Sequence, residues 1–102
     1  MNKASLTEQI KTVCHALSNE IRIKIFRLLA EGSCTPKRLS IELSLTYTVV
    51  LHHLKILKNA GLVCSQKYGH NIYYKLSPEN LNNVFAPLQR LYLSILQVEE
   101  EY

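Results

Sequence analysis

The chain has 102 residues, a length that allows one domain with a modest hydrophobic core. Its 12 lysine and arginine residues exceed its 8 acidic residues, and the net charge of +4 suits a polyanionic partner such as nucleic acid. No segment approaches the roughly 20 apolar residues of a membrane span, and the N-terminal stretch lacks the pattern of a signal peptide. We therefore expect a single cytoplasmic domain over residues 1–102 with no membrane segment.

Two amphipathic helices are predicted first. Apolar residues recur at helical spacing over 5–17, and a second helix follows a cap at Ser18 or Asn19 and ends at Gly32. In the second helix the periodicity turns four apolar side chains inward and three basic side chains largely outward. The inward set is Ile21, Ile25, Leu28 and Leu29, and the outward set is Arg22, Lys24 and Arg27.

A helix-turn-helix is predicted over residues 35–60. The pair Thr35-Pro36 is a capping residue followed by proline, which starts the short first helix of the motif. Thr46 caps the second helix, and Gly61 provides the stop.

Residues 62–76 are predicted to form a β-hairpin, the wing, because two β-prone runs flank a turn around Gly69. A long helix follows over 78–99, with apolar residues three and four positions apart in an unbroken heptad seam. The seam consists of Leu81, Val84, Leu88, Leu91, Ile95 and Val98, widened by Phe85 and Tyr92.

This seam is longer than one short domain needs for its own core. We expect it to pair two copies of the chain. The dimerisation residues on this helix are then Leu81, Val84, Leu88, Leu91 and Ile95. The alternative is that the seam closes the core of the monomer.

The fourth helix has two faces when residues are placed at about 100° intervals. The arc expected to be buried contains Val49, Val50, Ile56, Leu57 and Ala60. His53 lies in the middle of this arc, where we expect a hydrogen bond to neighbouring backbone, and His52 lies at the edge of the opposite arc. Adjacent histidines point about 100° apart, so this pair is a poor metal site.

The opposite arc and the hairpin predict a DNA-binding surface. Residues in the first turn of a recognition helix approach base edges, and lysines further along are better placed for phosphates. Leu51 is either a scattered surface leucine or a contact to thymine methyl groups. The candidate DNA-binding residues are Thr46, Tyr47, Thr48, Leu51, His52, Lys55, Lys58, Lys67, His70 and Asn71.

The chain resembles the ArsR/SmtB family of winged-helix repressors. The resemblance rests on Ala-Leu-Ser-Asn-Glu-Ile-Arg at 16–22, His-His-Leu-Lys-Ile-Leu-Lys-Asn-Ala-Gly-Leu-Val at 52–63 and Gly-His-Asn-Ile-Tyr-Tyr-Lys-Leu at 69–76. It implies a mainly α fold with a small β-hairpin and a winged helix-turn-helix in the order α-α-α-α-β-β-α. It also implies a homodimer through the first and last helices, with Leu6 and Ile10 as the dimerisation residues of the first helix. It also implies repression from an inverted-repeat operator in double-stranded DNA, with release by an effector of unknown identity.

The familiar metal sites of that family are missing here. One is a Cys-x-Cys at the start of the third helix, and the other is a zinc site on the last helix. The corresponding positions are Thr35 and Lys37 for the first, and Pro78, Asn80, Leu91 and Ser94 for the second. No metal or cofactor is therefore predicted. His70 stands where the wing usually has arginine, so we expect a weaker and pH-dependent grip on phosphates or the minor groove.

Three cysteines, Cys14, Cys34 and Cys64, are widely separated and odd in number, which disfavours a disulfide framework. Cys14 and Cys64 are interpreted as small buried hydrophobic residues and Cys34 as a loop thiol. The alternative is that Cys14 and Cys34 form a thiol sensor, because Cys34 precedes a helix N-terminus.

These patterns predict a dimeric, sequence-specific DNA-binding repressor that a small effector or thiol modification releases from its operator. The alternative is a winged-helix protein–protein interaction module that docks through the arc around Leu51 and has no operator specificity. An enzyme is not expected, because the chain shows no phosphate-binding glycine loop, no paired carboxylates in a cleft and no nucleophile with an evident base.

Overall fold

The computed structural model describes the backbone of residues 5–100 and the side chains through residue 97. The elements are α1 (Leu6–Ala16), α2 (Glu20–Glu31), α3 (Pro36–Leu43), α4 (Tyr47–Asn59), β1 (Val63–Tyr68), β2 (Asn71–Leu76) and α5 (Pro78–Glu100). The two strands pair antiparallel. This order confirms the predicted fold class. None of the helices over the described range is long and apolar enough to cross a membrane.

Polar side chains cap the first four helices. Oxygens of Ser5, Asn19, Thr35 and Thr46 each accept a hydrogen bond from a backbone N–H in the first turn of the helix that follows. These bonds satisfy donors that have no partner inside the helix. The sequence alone left Ser18 and Asn19 open as the cap of α2, and Asn19 holds that position.

The end of α4 is fixed by a glycine. Gly61 has φ of 80°, and its N–H donates to the carbonyl of Lys58 while the N–H of Leu62 donates to that of Leu57, both at 3.0 Å. This arrangement satisfies the last carbonyls of the helix and needs a left-handed residue, which glycine adopts without strain. A Cβ atom at Gly61 would lie 3.2 Å from Cγ2 of Val84, so α5 packs directly on the end of α4.

The hydrophobic core lies where α1 to α4 meet the base of the hairpin. It consists of Ala16, Ile25, Leu29, Leu39, Val50, Leu54, Leu57, Leu62 and Val63. A backbone bridge between Cys34 and Tyr74, with hydrogen bonds of 2.9 and 2.8 Å, fastens the segment before α3 to β2. The hairpin is thereby joined to both ends of the helix-turn-helix. This bridge connects it to the segment before α3, and the chain itself connects it to the end of α4.

Arg22 is a correction to the sequence prediction, because it turns inward rather than outward. Its side chain is 6% exposed. Its Nε and Nη2 donate to the carbonyls of Ala16 and His15 at 2.8 and 3.0 Å. These carbonyls belong to the last turn of α1, where the helix dipole concentrates negative charge. Arg22 therefore caps α1 from inside the protein.

His53 is buried on α4, as predicted, but its partner is a side chain rather than backbone. Nη1 of Arg22 lies 3.2 Å from Nδ1 of His53. A guanidinium only donates hydrogen bonds, so Nδ1 accepts and the imidazole is neutral with its proton on Nε2. Burial, the charge of Arg22 and the charge of His52 all place the pKa of His53 below its ordinary value. Arg22 thus links α1, α2 and α4.

The seam on α5 divides into two parts. Leu81 and Val84 pack against the core of the same chain, whereas Leu91 and Ile95 are 45% and 51% exposed. The interpretation of the seam as part of the monomer's core thus holds for the first half of α5 and does not explain the second half. Pro87 lies buried inside the helix, and the side chain of Val98 lies outside the described residues. Leu6 and Ile10 sit on α1, which packs against α5.

Replacing Arg22 with alanine is expected to lower the free energy of unfolding by at least about 2 kcal/mol, because two carbonyls and one imidazole nitrogen lose their buried donor. Arg27→Ala on the exposed side of α2 is the matched control and is expected to change stability by no more than about 0.5 kcal/mol. Urea denaturation at fixed protein concentration measures both. Equal effects of the two substitutions would contradict the assigned role of Arg22.

The lowered pKa of His53 predicts that the free energy of unfolding decreases as the pH is lowered. Above the ordinary histidine pKa of 6.5, His53 is neutral in both the folded and the unfolded chain. As pH falls through that value the unfolded chain takes up a proton first, so unfolding becomes more favourable until the folded state also protonates. Urea denaturation between pH 8 and 5 is expected to show this loss. His53→Gln, which keeps an acceptor for Arg22, is expected to reduce the pH dependence, and His52→Gln is the control.

Candidate nucleic-acid interface

A tight turn sets the angle between α3 and α4. Ser44 adopts a left-handed conformation, with φ of 53° and ψ of 45°. Its N–H donates to the carbonyl of Ile41 at 3.3 Å, and the N–H of Leu45 donates to that of Ser40 at 3.0 Å. Thr46 then caps α4. The two helices, joined by this turn and the cap, are arranged as a helix-turn-helix.

One face of α4 is exposed along its whole length. The exposed candidates on it are Tyr47, Thr48, His52, Lys55 and Lys58, with Thr46 at the cap. Leu51 is half-buried, so the apolar docking surface of the interaction-module alternative is smaller than the sequence pattern indicated.

The buried face of α4 differs in detail from the predicted arc. The fully enclosed side chains are Val50, Leu54 and Leu57, together with the nearly buried His53. Val49 was expected to be buried and is instead 37% exposed. The buried line follows residues three and four apart that face α2 and α3, and Val49 lies one position off that line. Compared with the predicted arc, α4 is therefore rotated slightly about its axis, so that Leu54 faces the core.

The exposed face of α4 and the hairpin carry positive charge and contain no acidic residue. No acidic residue occurs between Glu42 and Glu79, while this stretch contains Lys55, Lys58, Lys67 and Lys75. The ion pairs among the described residues join Lys11 to Glu8, Lys24 to Glu20 and Arg38 to Glu42, all outside that stretch. The lysine charges here are thus not neutralised by ion pairs within the described part of the chain, which favours an anionic partner.

The wing is held against α4. Nζ of Lys58 donates to Oγ of Ser65 on β1 at 2.7 Å. The strands are joined by the two-residue turn Gly69-His70, in which Gly69 has φ of 61°. Glycine at the first position of such a turn matches the twist of the strands. Lys67, His70 and Asn71, at or near this turn, are exposed.

Tyr68 is an exposed residue of this surface that the sequence prediction missed. It ends β1, is 59% exposed, and its ring packs edge-on against Tyr73 with centroids 5.9 Å apart. Its exposure could have been predicted from its position next to the turn, because side chains at the tip of a wing protrude.

The burial of two cysteines differs from the prediction. Cys14 is exposed rather than buried, while Cys34 and Cys64 are half-buried. Burial raises the pKa of Cys34, outweighing the opposing charge of Arg38. A protonated thiol is a poor nucleophile, so this shift weighs against the thiol-sensor alternative at Cys34. Among the described residues no group of three or more histidine, cysteine or acidic side chains is placed to hold a metal ion.

Comparison with known proteins identifies the family. Residues 19–65 match the model of the bacterial regulatory proteins of the arsR family. The transcriptional activator HlyU of Vibrio cholerae is 31% identical over 77 residues, which cover 76% of this chain and 71% of HlyU. The regulator Rv0324 of Mycobacterium tuberculosis is 32% identical over 85% of this chain, but the chain spans only 38% of the length of Rv0324.

A solved structure shows the same architecture. The homodimeric winged helix-turn-helix DNA-binding domain Mb0332 of Mycobacterium bovis superposes with a TM-score of 0.71 at 28% identity, covering 95% of this chain and 94% of that domain. The chain belongs to the arsR family of bacterial regulatory proteins. It is a transcriptional regulator with a winged helix-turn-helix DNA-binding domain, and the class is one of regulators rather than enzymes.

Proposed function

We propose that the protein is a dimeric, sequence-specific transcriptional repressor that binds an inverted-repeat operator in double-stranded DNA and leaves it when a small effector binds or a thiol is modified. The observation that carries this proposal is the exposed, acid-free face of α4 beside the wing, joined to it by the Lys58–Ser65 hydrogen bond. A helix and a hairpin placed side by side can enter a major groove and the neighbouring backbone or minor groove.

The contacts divide by position along α4 and the wing. Tyr47 and Thr48 lie in the first turn and carry hydroxyl groups that read base edges, with half-buried Leu51 one turn further on, available to a thymine methyl group. His52, Lys55 and Lys58 lie where the helix approaches phosphates. At the wing, Lys67, His70 and Asn71 contact the backbone or the minor groove.

Two copies are needed to read an inverted repeat. The second half of α5 exposes Leu91 and Ile95, and α1, which packs against α5, exposes Leu6 at 42%. Exposed apolar residues along one helical seam favour pairing with the same seam of a second copy. The homodimeric state of the related Mb0332 domain supports this assignment. Two-fold symmetry in the protein then requires two-fold symmetry in the operator.

The sign of regulation is repression, because a dimer that covers an operator near a promoter excludes other proteins from it. HlyU, to which this chain is similar, is named an activator, so the sign needs its own test. A reporter under the protein's own upstream region is expected to rise when the gene is deleted. A fall in reporter activity would show activation instead of repression.

Release could follow from a bound effector or from a modified thiol. The raised pKa of Cys34 weighs against the second route at that position, because it disfavours the thiolate.

The binding claim is tested by titrating the protein against a duplex of its own upstream region and against a random duplex of equal length at moderate salt. Sequence-specific binding is expected to be at least about a thousandfold tighter than non-specific binding. Equal affinity for the two duplexes, with binding only at low salt, would overturn the operator claim and leave the interaction module as the better reading.

Lys55→Ala is expected to weaken binding to every sequence and to flatten the dependence of affinity on salt. Each lost phosphate contact lowers the slope of log affinity against log salt by roughly 0.9, or about 1.8 for a dimer. Lys24→Ala is the matched control, because it removes the same charge from α2, where Lys24 pairs with Glu20 at 3.1 Å. A change of base preference in Lys55→Ala, with the salt slope unchanged, would contradict a phosphate contact.

The double variant Leu91→Asp/Ile95→Asp is expected to be monomeric and to bind the operator duplex only weakly. The control is Leu93→Asp/Gln97→Asp, which places the same two charges at the same spacing on exposed positions outside the seam. Sedimentation equilibrium reports the mass of each. An intact dimer of the seam variant, or dissociation of the control alone, would remove the seam from the proposed interface.

A further inference from the structure

The strand register divides the side chains of the wing between two faces. Side chains alternate between the faces along a strand, and directly opposed residues of two paired strands share a face. Ser65 is opposed to Tyr74. Two residues nearer the turn, Lys67 is opposed to Ile72. These four side chains define the inner face of the wing, and Gln66 belongs to the opposite, outer face.

The inner face is turned towards α4. At its base, Oγ of Ser65 accepts a hydrogen bond from Nζ of Lys58 on α4 at 2.7 Å, and Tyr74 packs against the hydrophobic core. Lys67 and Ile72 lie further along the same face, and both are exposed. The side of the wing that is turned towards α4 therefore ends in one cation and one apolar side chain.

Ile72 is the unusual member of this pair, because its apolar side chain is 44% exposed. On the outer face the rings of Tyr68 and Tyr73 pack edge-on with centroids 5.9 Å apart, so each ring covers part of the other. A single exposed apolar residue often needs no explanation. Ile72, however, is directly opposed to Lys67 on the face that is turned towards α4.

The charge of the wing favours DNA as the occupant of the inner face. Lys67 takes part in none of the ion pairs found within the described part of the chain, and no acidic residue occurs between Glu42 and Glu79. A nucleic-acid groove places phosphates along both edges of its floor, so it can meet a cation and an apolar side chain together. With α4 in the major groove, a hairpin beside it reaches the neighbouring minor groove.

The minor groove distinguishes base pairs mainly by one group. Both kinds of base pair present acceptors on the purine and the pyrimidine, and a guanine–cytosine pair adds the guanine amino group, which is a donor. The side chain of isoleucine has no acceptor. When such a side chain covers the amino group, the donor loses water without gaining a partner, which is unfavourable.

We propose that Ile72 lies against the floor of the minor groove and selects base pairs that have no amino group there, while Lys67 contacts a phosphate at the edge of the groove. The wing then favours adenine–thymine pairs beside each major-groove contact without a hydrogen bond to a base. This inference rests on the proposed function for the placement of α4 in the major groove, but it does not require operator specificity.

Base analogues separate the amino group from the rest of the base pair. Four duplexes of equal length and alternating sequence are compared, namely guanine–cytosine, hypoxanthine–cytosine, adenine–thymine and diaminopurine–thymine. Hypoxanthine is guanine without the amino group and diaminopurine is adenine with one, so neither exchange alters the groups in the major groove. Fluorescence anisotropy at low salt is expected to show that the full chain binds the two duplexes without the amino group at least about fivefold more tightly than the other two.

Two variants assign this preference to Ile72. Ile72→Ala uncovers the amino group, and Ile72→Thr keeps the β-branch that suits a strand while offering an acceptor. Both are expected to bind the four duplexes with affinities within about twofold of one another. Gln66→Ala is the matched control, because Gln66 is exposed in the same wing on the outer face, and it is expected to keep the preference.

Equal binding of the guanine–cytosine and hypoxanthine–cytosine duplexes by the unsubstituted chain would overturn the proposal. A preference that survives in either Ile72 variant would overturn it too, and would point to Lys67 and the width of the groove. Loss of the preference in Gln66→Ala would also contradict it. Unchanged duplex affinities in Ile72→Ala with a changed mass in sedimentation equilibrium would assign Ile72 to a contact between copies instead.

Failure of the proposed function would be visible separately. None of the four alternating duplexes contains the operator. Equal affinity for the upstream duplex and the random duplex would therefore refute operator specificity and leave the comparison of the four duplexes intact.

Discussion

The arrangement of the helices depends on one buried cation. The guanidinium of Arg22 donates to two carbonyls at the end of α1 and to Nδ1 of His53 on α4, with no carboxylate among these partners. Removing a cation from water costs several kcal/mol, so these hydrogen bonds are required merely to offset the burial. What the interaction contributes is geometry, because it fixes α1, α2 and α4 at one point.

That geometry relates the two surfaces on which the proposed function depends. His53 holds α4 from its buried side, so the residues on the opposite side, from Tyr47 to Lys58, are held outward. Through α1, which packs against α5, the same cation also sets where the exposed seam lies relative to α4. In a dimer the spacing between two α4 helices would follow from this relation. A movement of α5 against the end of α4 would alter it.

The sequence predicted the elements well because their ends are local. The caps at Thr35 and Thr46 and the stop at Gly61 are each decided by residues within one turn of the helix. The candidate DNA-binding residues on α4 followed from helical periodicity alone, and all of them except Leu51 are exposed.

The sequence could not predict features that depend on contacts between elements. Periodicity predicted that Arg22 points outward, because arginine is polar. Its side chain instead lies inside, where it donates hydrogen bonds to carbonyls at the end of α1. His53 has a side-chain partner because Arg22 points inward and reaches its Nδ1 atom. The exposure of Val49 and Cys14 depends on the rotation of α4 and α1 against their neighbours, which no local pattern records. The division of the α5 seam likewise appears only when the core is assembled.

The central claim is that two copies present α4 to successive turns of DNA, and footprinting of the bound operator tests it most directly. Dimethyl sulfate and hydroxyl-radical protection are expected to show two major-groove patches related by a two-fold axis, with centres about 10 base pairs or a multiple of that apart. Wing contacts would add protection flanking each patch. A single patch, or protection without two-fold symmetry, would contradict the account.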